Sequence, residues 1–174
     1  MNQATDTIET PSPNQFRNVD RRYITLSRLT GLIFAVILSI GLSVGVLIYF
    51  LTQPLNWISW LVLGSALASI LGLFILAVVW PPISYRRLRW RIGETGLEIH
   101  RGVLWRHQIS VPVARVQHAD VSQGPLQRQF ELGTLIVHTA GTQNASVELD
   151  GLAHQFAVQL RDEIVKQKEL VDVV

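Results

Sequence analysis

The sequence predicts a hydrophobic α-helical hairpin joined to a mainly-β domain that a single amphipathic helix closes. Three observations predict it. Residues 29–80 contain no Asp, Glu, Lys, Arg or His. Immediately after them the apolar residues recur with a period of two, which is the signature of half-buried strands. In the last stretch of chain they recur at four-residue steps instead, as on one face of a helix.

Composition sets the outer limits. The chain has 174 residues, 48% of them hydrophobic and only 16% charged, and a mean hydropathy of +0.28, which is apolar for a chain folding in water alone. The formal net charge is +2, too small to hold a polyanion by bulk attraction, so no nucleic-acid partner is expected. Cysteine is absent. That excludes disulfides, thiolate metal sites and a thiol nucleophile.

Residues 1–24 are expected to form a disordered cytoplasmic tail, because Thr7, Thr10, Pro11, Ser12, Pro13 and Asn14 offer no apolar periodicity to bury. Residues 25–82 form the membrane unit. Its first run, about 29–51, spans about 34 Å as a helix and so crosses a hydrocarbon core of about 30 Å with some tilt. Its second run, about 57–80, crosses equally well, and the residues between, Thr52 to Asn56, suffice only for a tight turn. A secretory signal would place a shorter apolar region nearer the start, so both helices are expected to stay in the membrane. Neither carries the polar stripe of a soluble core helix.

Arg17, Arg21, Arg22 and Arg28 precede the hairpin, Arg86, Arg87, Arg89 and Arg91 follow it, and the turn has no charge. The positive-inside rule therefore predicts a multi-pass protein of the cell membrane with both termini cytoplasmic. Tyr49, Trp57 and Trp60 fall at one interface and Trp80 and Tyr85 at the other, where amphipathic rings settle. Pro81-Pro82 removes two backbone donors and is expected to stop the second helix. Gly41 and Gly45 on the first helix, and Gly64, Ala68 and Gly72 on the second, are small residues at four-residue spacing. They allow close backbone approach, either of the two helices to each other or of a partner's helix.

The domain over residues 83–174 opens with a hairpin. Arg87, Arg89 and Arg91 alternate with Leu88, Trp90 and Ile92, then Gly93-Glu94-Thr95-Gly96 turns the chain. The register that follows pairs Ile92 with Leu97, Arg91 with Glu98 and Trp90 with Ile99. Further strands are expected at about 104–113 (Ile109, Val111 and Val113 on one face), 116–122, 133–139 and 145–149, with a helical turn at 125–130. Asp150 is the expected N-cap of the closing helix, whose buried stripe is Leu152, Phe156, Leu160 and Ile164. Phe156 and Leu160 are expected in the core.

Short antiparallel strands ended by one amphipathic helix resemble the pleckstrin-homology (PH) superfold. The residues Val111-Pro112, Arg115-Val116-Gln117-His118, Gly124-Pro125-Leu126, Phe130-Glu131-Leu132-Gly133-Thr134-Leu135 and Thr139-Ala140-Gly141 resemble those of the bacterial membrane-anchored PH-like family (YdbS-like, formerly a domain of unknown function). The likeness spans about residues 25–168. It departs at Glu131, where a small residue such as Gly is expected. The resemblance implies a PH-like antiparallel β sandwich or barrel capped by a C-terminal helix, and a membrane-tethered interaction role with suggested links to envelope stress or antimicrobial resistance. It implies no reaction and no cofactor.

The function expected is a non-catalytic interaction module within a larger membrane assembly, with a membrane-protein partner or a second copy of the chain. The alternatives are an anionic-lipid sensor using the comb Arg86, Arg87, Arg89 and Arg91, since each basic residue near anionic lipid contributes about 1 kcal/mol, or an accessory subunit of a transporter or enzyme. The acidic Gly93–Gly96 turn argues against phosphoinositide recognition of the PH type. His118 and Asp120 share a strand face, yet no metal-ligand spacing is present and no metal is expected. Nucleotide and nucleophile motifs are missing as well, and the hairpin has no ionisable residue to serve a transport path.

Overall fold

A computed structural model describes residues 15–93, 96–140 and 146–172. The expected tail as far as residue 14, the Glu94-Thr95 turn and residue 145, where the sequence reading starts its last strand, lie outside the described residues.

The described chain opens on a short strand, β1 (Arg17–Asn18), followed by two helices, α1 (Arg22–Thr52) and α2 (Trp57–Arg87). Residues 15–24 are therefore not a tail: Val19 is buried in the domain core and the first helix starts a full two turns earlier than its apolar run. Each helix has 31 residues, about 46 Å of length. Their apolar windows are only 6% buried within the protein, which is the exposure of helices that face lipid rather than of helices inside a soluble core. At the tight turn, Asn56 accepts from the Ser59 backbone N–H while Ser59 Oγ accepts from that of Asn56, a reciprocal cap that satisfies two otherwise orphaned donors.

Pro81-Pro82 does not stop α2, which continues to Arg87. Pro82 lacks the N–H that would reach the carbonyl of Val78, and Arg28 Nε from α1 donates to that carbonyl at 3.3 Å instead. Beside it Gly31 lies against Ala77, where even an added Cβ would be in van der Waals contact. A neighbouring helix that fills the gap left by proline is what allows proline inside a membrane helix. Leu26, Ala35 and Ala66 are also buried.

From Arg87 the chain passes through Leu88 directly into β2 (Arg89–Gly93), then β3 (Gly96–Arg101) and β4 (His107–Pro112). These form one antiparallel sheet in the order β1-β2-β3-β4, with Arg91 opposite Glu98, Trp90 opposite Ile99 and Ile92 opposite Leu97. The expected register is the observed one. β4 starts later than expected because Gly102–Arg106 is a connection, with Leu104 and Trp105 each 80% exposed. Val113 is buried in a short 3-10 turn beyond β4.

A second antiparallel sheet follows: β5 (Val116–Ser122), the short helix α3 (Pro125–Gln129), β6 (Leu132–Thr139) and β7 (Ser146–Ala153), in the order β5-β6-β7. The last helix, α4 (His154–Asp172), closes the domain. One core joins both sheets and α4, with Trp90, Ile99, Leu135, Val137, Leu149 and Leu160 among its members.

Asp150 is not an N-cap. Thr134 stands alone opposite Asp150 and Gly151, a bulge that carries β7 on to Ala153, and Asp150 accepts a hydrogen bond from Thr134 Oγ1 at 2.7 Å. The first N–H of α4, that of His154, is satisfied by the Glu131 carbonyl instead. Leu152 is consequently a buried strand residue, and the helix buries Ala157, Leu160 and Ile164. Phe156 is only half-buried and lies against Trp90 with ring centroids 5.6 Å apart. Glu131 has φ 55°, the left-handed conformation that favours glycine. Its Arg22 ion pair at 2.7 Å links this turn to the start of α1.

Gly151 forms the seam between hairpin and domain. Its φ is 77°, its carbonyl accepts from the Asp20 N–H at 2.8 Å, and an added Cβ would come within 2.6 Å of the Tyr23 ring. Gly151→Ala is therefore expected to lower the melting temperature and to open the chain to protease at the α1 start. Unchanged protease resistance would show that the two units hold together elsewhere. Leu160→Ala is expected to cost about 2–5 kcal/mol, measured by thermal unfolding in detergent, and more than Phe156→Ala because only Leu160 is fully enclosed.

Candidate functional site

The register of the first sheet decides which end of it meets the membrane helices. Arg89, the first residue of β2 after α2, is opposite His100, and Arg101 is opposite His107. The Gly102–Arg106 connection therefore lies at the α2 end of the sheet, and the paired residues Gly93 and Gly96 lie at the far end. Arg86 and Arg87 occupy the last turn of α2, where cations also complement the negative end of the helix dipole.

These placements converge on one open basin of about 460 Å³. Arg86 and Arg87 line it from α2, Arg89 from β2, His100 and Arg101 from β3, and Arg106, His107 and Gln108 from the connection and β4. Among the described residues no carboxylate lines the basin, and none of its five arginines has an ion pair. Five guanidinium groups with planar donor forks and no ion pair among the described residues have the charge and donor geometry that suit an oxyanion.

Of the four-residue comb, the structure brings Arg86, Arg87 and Arg89 together and sets Arg91 apart. Arg91 makes a two-pronged contact with Glu98 at 2.8 and 2.9 Å and covers the Phe16 ring at 4.7 Å. Its guanidinium donors hold the Glu98 carboxyl below its ordinary range. Sequence reasoning missed Arg101, Arg106, His100 and His107, because only strand pairing brings them beside Arg86 and Arg89. A legible signal existed in the apolar pair Leu104-Trp105 set between Arg101 and Arg106.

The small residues have open space around them. A Cβ added at Gly41, Gly45, Gly64 or Gly72 would touch nothing within 4 Å, and Ala68 is exposed. They do not form the contact between α1 and α2, which runs through Gly31 and Ala77 instead. An apolar groove of about 470 Å³ lies between the helices, lined by Tyr23, Gly31, Phe34, Leu73, Ala77 and Trp80 among others.

Pairing of β5 with β6 adds His138 to His118 and Asp120. The two imidazoles stack at 4.2 Å, and the Asp120 carboxylate is 3.8 Å from His118 and 3.6 Å from His138. Their ligand atoms all lie within 4.8 Å of one another, close enough for a divalent cation to draw them together. Side-chain exposures of 60%, 62% and 32% for His118, Asp120 and His138 leave the imidazoles without the packed outer partners that orient metal ligands.

A two-sheet domain closed by a helix and carried on a membrane hairpin defines a membrane-anchored PH-like protein. The chain belongs to the bacterial PH domain family, whose profile matches residues 24–168. It is 35% identical over 143 residues to the UPF0699 transmembrane protein YdbS of Bacillus subtilis (strain 168), covering 81% of this chain and 84% of that protein. No solved structure matches it.

The Arg91–Glu98 pair has a defined pH dependence. A carboxyl whose folded pKa is depressed contributes stability above its unfolded pKa and loses it as pH falls through the folded value. Arg91→Gln is expected to lower the melting temperature slightly at neutral pH. That difference should vanish in acid, below the depressed Glu98 pKa, and a pH-independent difference would assign it to the Phe16 contact instead.

Proposed function

We propose that this protein is a non-catalytic interaction module that holds its PH-like domain at the cytoplasmic face of the membrane and works inside a larger membrane assembly. The Arg-rich flanks and the uncharged turn support that orientation. The observation that carries the reading is the empty space beside Gly41, Gly45, Gly64 and Gly72. Small residues that leave a helix face smooth and are not used within the chain suit close approach by another helix. A second copy of this chain or another membrane protein is the partner.

The direct contacts between the two units support a further element of the reading. Tyr85 Oη donates to the Val19 carbonyl at 3.0 Å, and the Asp20–Gly151 bond lies close by, so a partner docked on the helices would be positioned relative to the domain.

Replacing Gly41 and Gly45 together with Leu is expected to leave membrane insertion intact while abolishing co-purification of two differently tagged copies, or of the assembly partner. A double variant that keeps every association of the parent would end the assembly reading. Labelling of a single Cys placed after Val174 from the outside of intact cells would end the proposed orientation.

A further inference from the structure

We propose that the arginine basin binds the phosphate headgroup of an anionic phospholipid from the leaflet at which α2 emerges, while Leu104 and Trp105 seat in the interfacial layer of that leaflet. The inference needs the membrane placement of the hairpin but neither the identity of the assembly partner nor the sidedness of the termini.

Position comes first. Arg86 and Arg87 end a membrane helix within two turns of Trp80, and Trp and Tyr near helix ends mark the headgroup level. Strand pairing then fixes Arg101 and Arg106 at that same end of the sheet. The site differs from the hairpin-loop mode of phosphoinositide-binding PH domains, since the corresponding Gly93–Gly96 turn is at the opposite end.

Charge comes second. Five arginines facing a shared volume of about 460 Å³ repel one another, and among the described residues no carboxylate lines that volume. A phosphodiester relieves that repulsion and accepts several guanidinium donors at once. Low-dielectric lipid on one side strengthens each such contact.

Shape comes third. Two large apolar side chains at 80% exposure on one five-residue connection are costly in water and stable among headgroups, where Trp is favoured. The connection is shaped to present them. Gly102 has φ 111°, and a Cβ there would strike the Trp105 carbonyl, so the turn depends on glycine. An acidic protein partner would satisfy the arginines but gives no reason for an apolar tip at membrane level.

The test uses the full chain in mild detergent, with lipid binding read by native mass spectrometry. Phosphatidylglycerol is expected to bind at least about tenfold more tightly than phosphatidylcholine. Arg101→Gln with Arg106→Gln should remove up to about thirtyfold of that preference, given about 1 kcal/mol per basic residue near anionic lipid. Arg161→Gln with Lys166→Gln, both on α4, serves as the equal-charge control and should remove none. Leu104→Ser with Trp105→Ser should weaken both lipids without abolishing the preference for the anionic one.

Thermal unfolding of each variant checks folding, and the exposed positions chosen should leave it unchanged. Equal affinity for the two lipids overturns the proposal. So does glycerol phosphate or inorganic phosphate binding as tightly as phosphatidylglycerol, which would make the basin a site for a free anion, or an acidic peptide outcompeting the lipid, which would make it a protein interface. The Gly41→Leu, Gly45→Leu variant should retain the lipid preference, so failure of the assembly reading and failure of this one are separable.

Discussion

The structure depends on a contact that only glycine permits. At the bulge in β7, Gly151 adopts a left-handed conformation and brings the strand backbone against the Tyr23 ring at the start of α1. This contact, with the Asp20–Gly151 hydrogen bond, ties the start of the first helix to the second sheet, and the Tyr85–Val19 hydrogen bond ties the second helix to the segment that precedes the first. The second helix is tied to the first sheet by the chain itself, since only Leu88 separates α2 from β2. The first helix also follows β1 of the first sheet after a three-residue link, so both helices are joined to that sheet by the chain and the first is bonded to the second sheet as well. The α2 end of the first sheet is consequently held beside the C-terminal end of the second helix.

That geometry explains how the arginines divide. Arg28 completes the backbone of α2 where Pro82 has removed a donor, Arg22 reaches across to Glu131, and Arg91 is matched by Glu98. Each of these has a structural partner within the chain. Arg86, Arg87, Arg89, Arg101 and Arg106 do not have one among the described residues, and they are the ones gathered around a single basin. A count of basic residues along the sequence treats the flanking arginines alike; folding pairs Arg22, Arg28 and Arg91 within the chain and sets Arg86, Arg87 and Arg89 around the basin with Arg101 and Arg106.

Glu131 shows how a turn that favours glycine is held with another residue in place. A non-glycine residue in the left-handed region costs roughly 1–2 kcal/mol, and here the surroundings hold it there: its carbonyl accepts the first N–H of α4 and its carboxylate meets Arg22. The turn between α3 and β6 and the start of the closing helix are in this way fixed by one residue.

Much of the architecture was legible from local pattern alone. A run without charged residues across positions 29–80 marks two helices apolar enough to cross a membrane, and strict alternation around Gly93 and Gly96 sets the β2–β3 register, because a one-residue slip would turn every apolar side chain to the wrong face. Local pattern failed where a distant group decided the outcome. The helix passes through Pro81-Pro82 because α1 supplies Arg28 and Gly31. The closing helix starts at His154 rather than near Asp150 because a bulge extends β7 and the Glu131 carbonyl receives the new helix. The basin formed from residues fifteen or more positions apart, such as Arg86 and Arg101, because antiparallel pairing returns β3 to the end of the sheet where α2 left off. Hydrophobic period is a property of consecutive residues and can be read along the chain; which backbone group meets which side chain, and which charges are left without a partner, depends on contacts that exist only once the chain has folded.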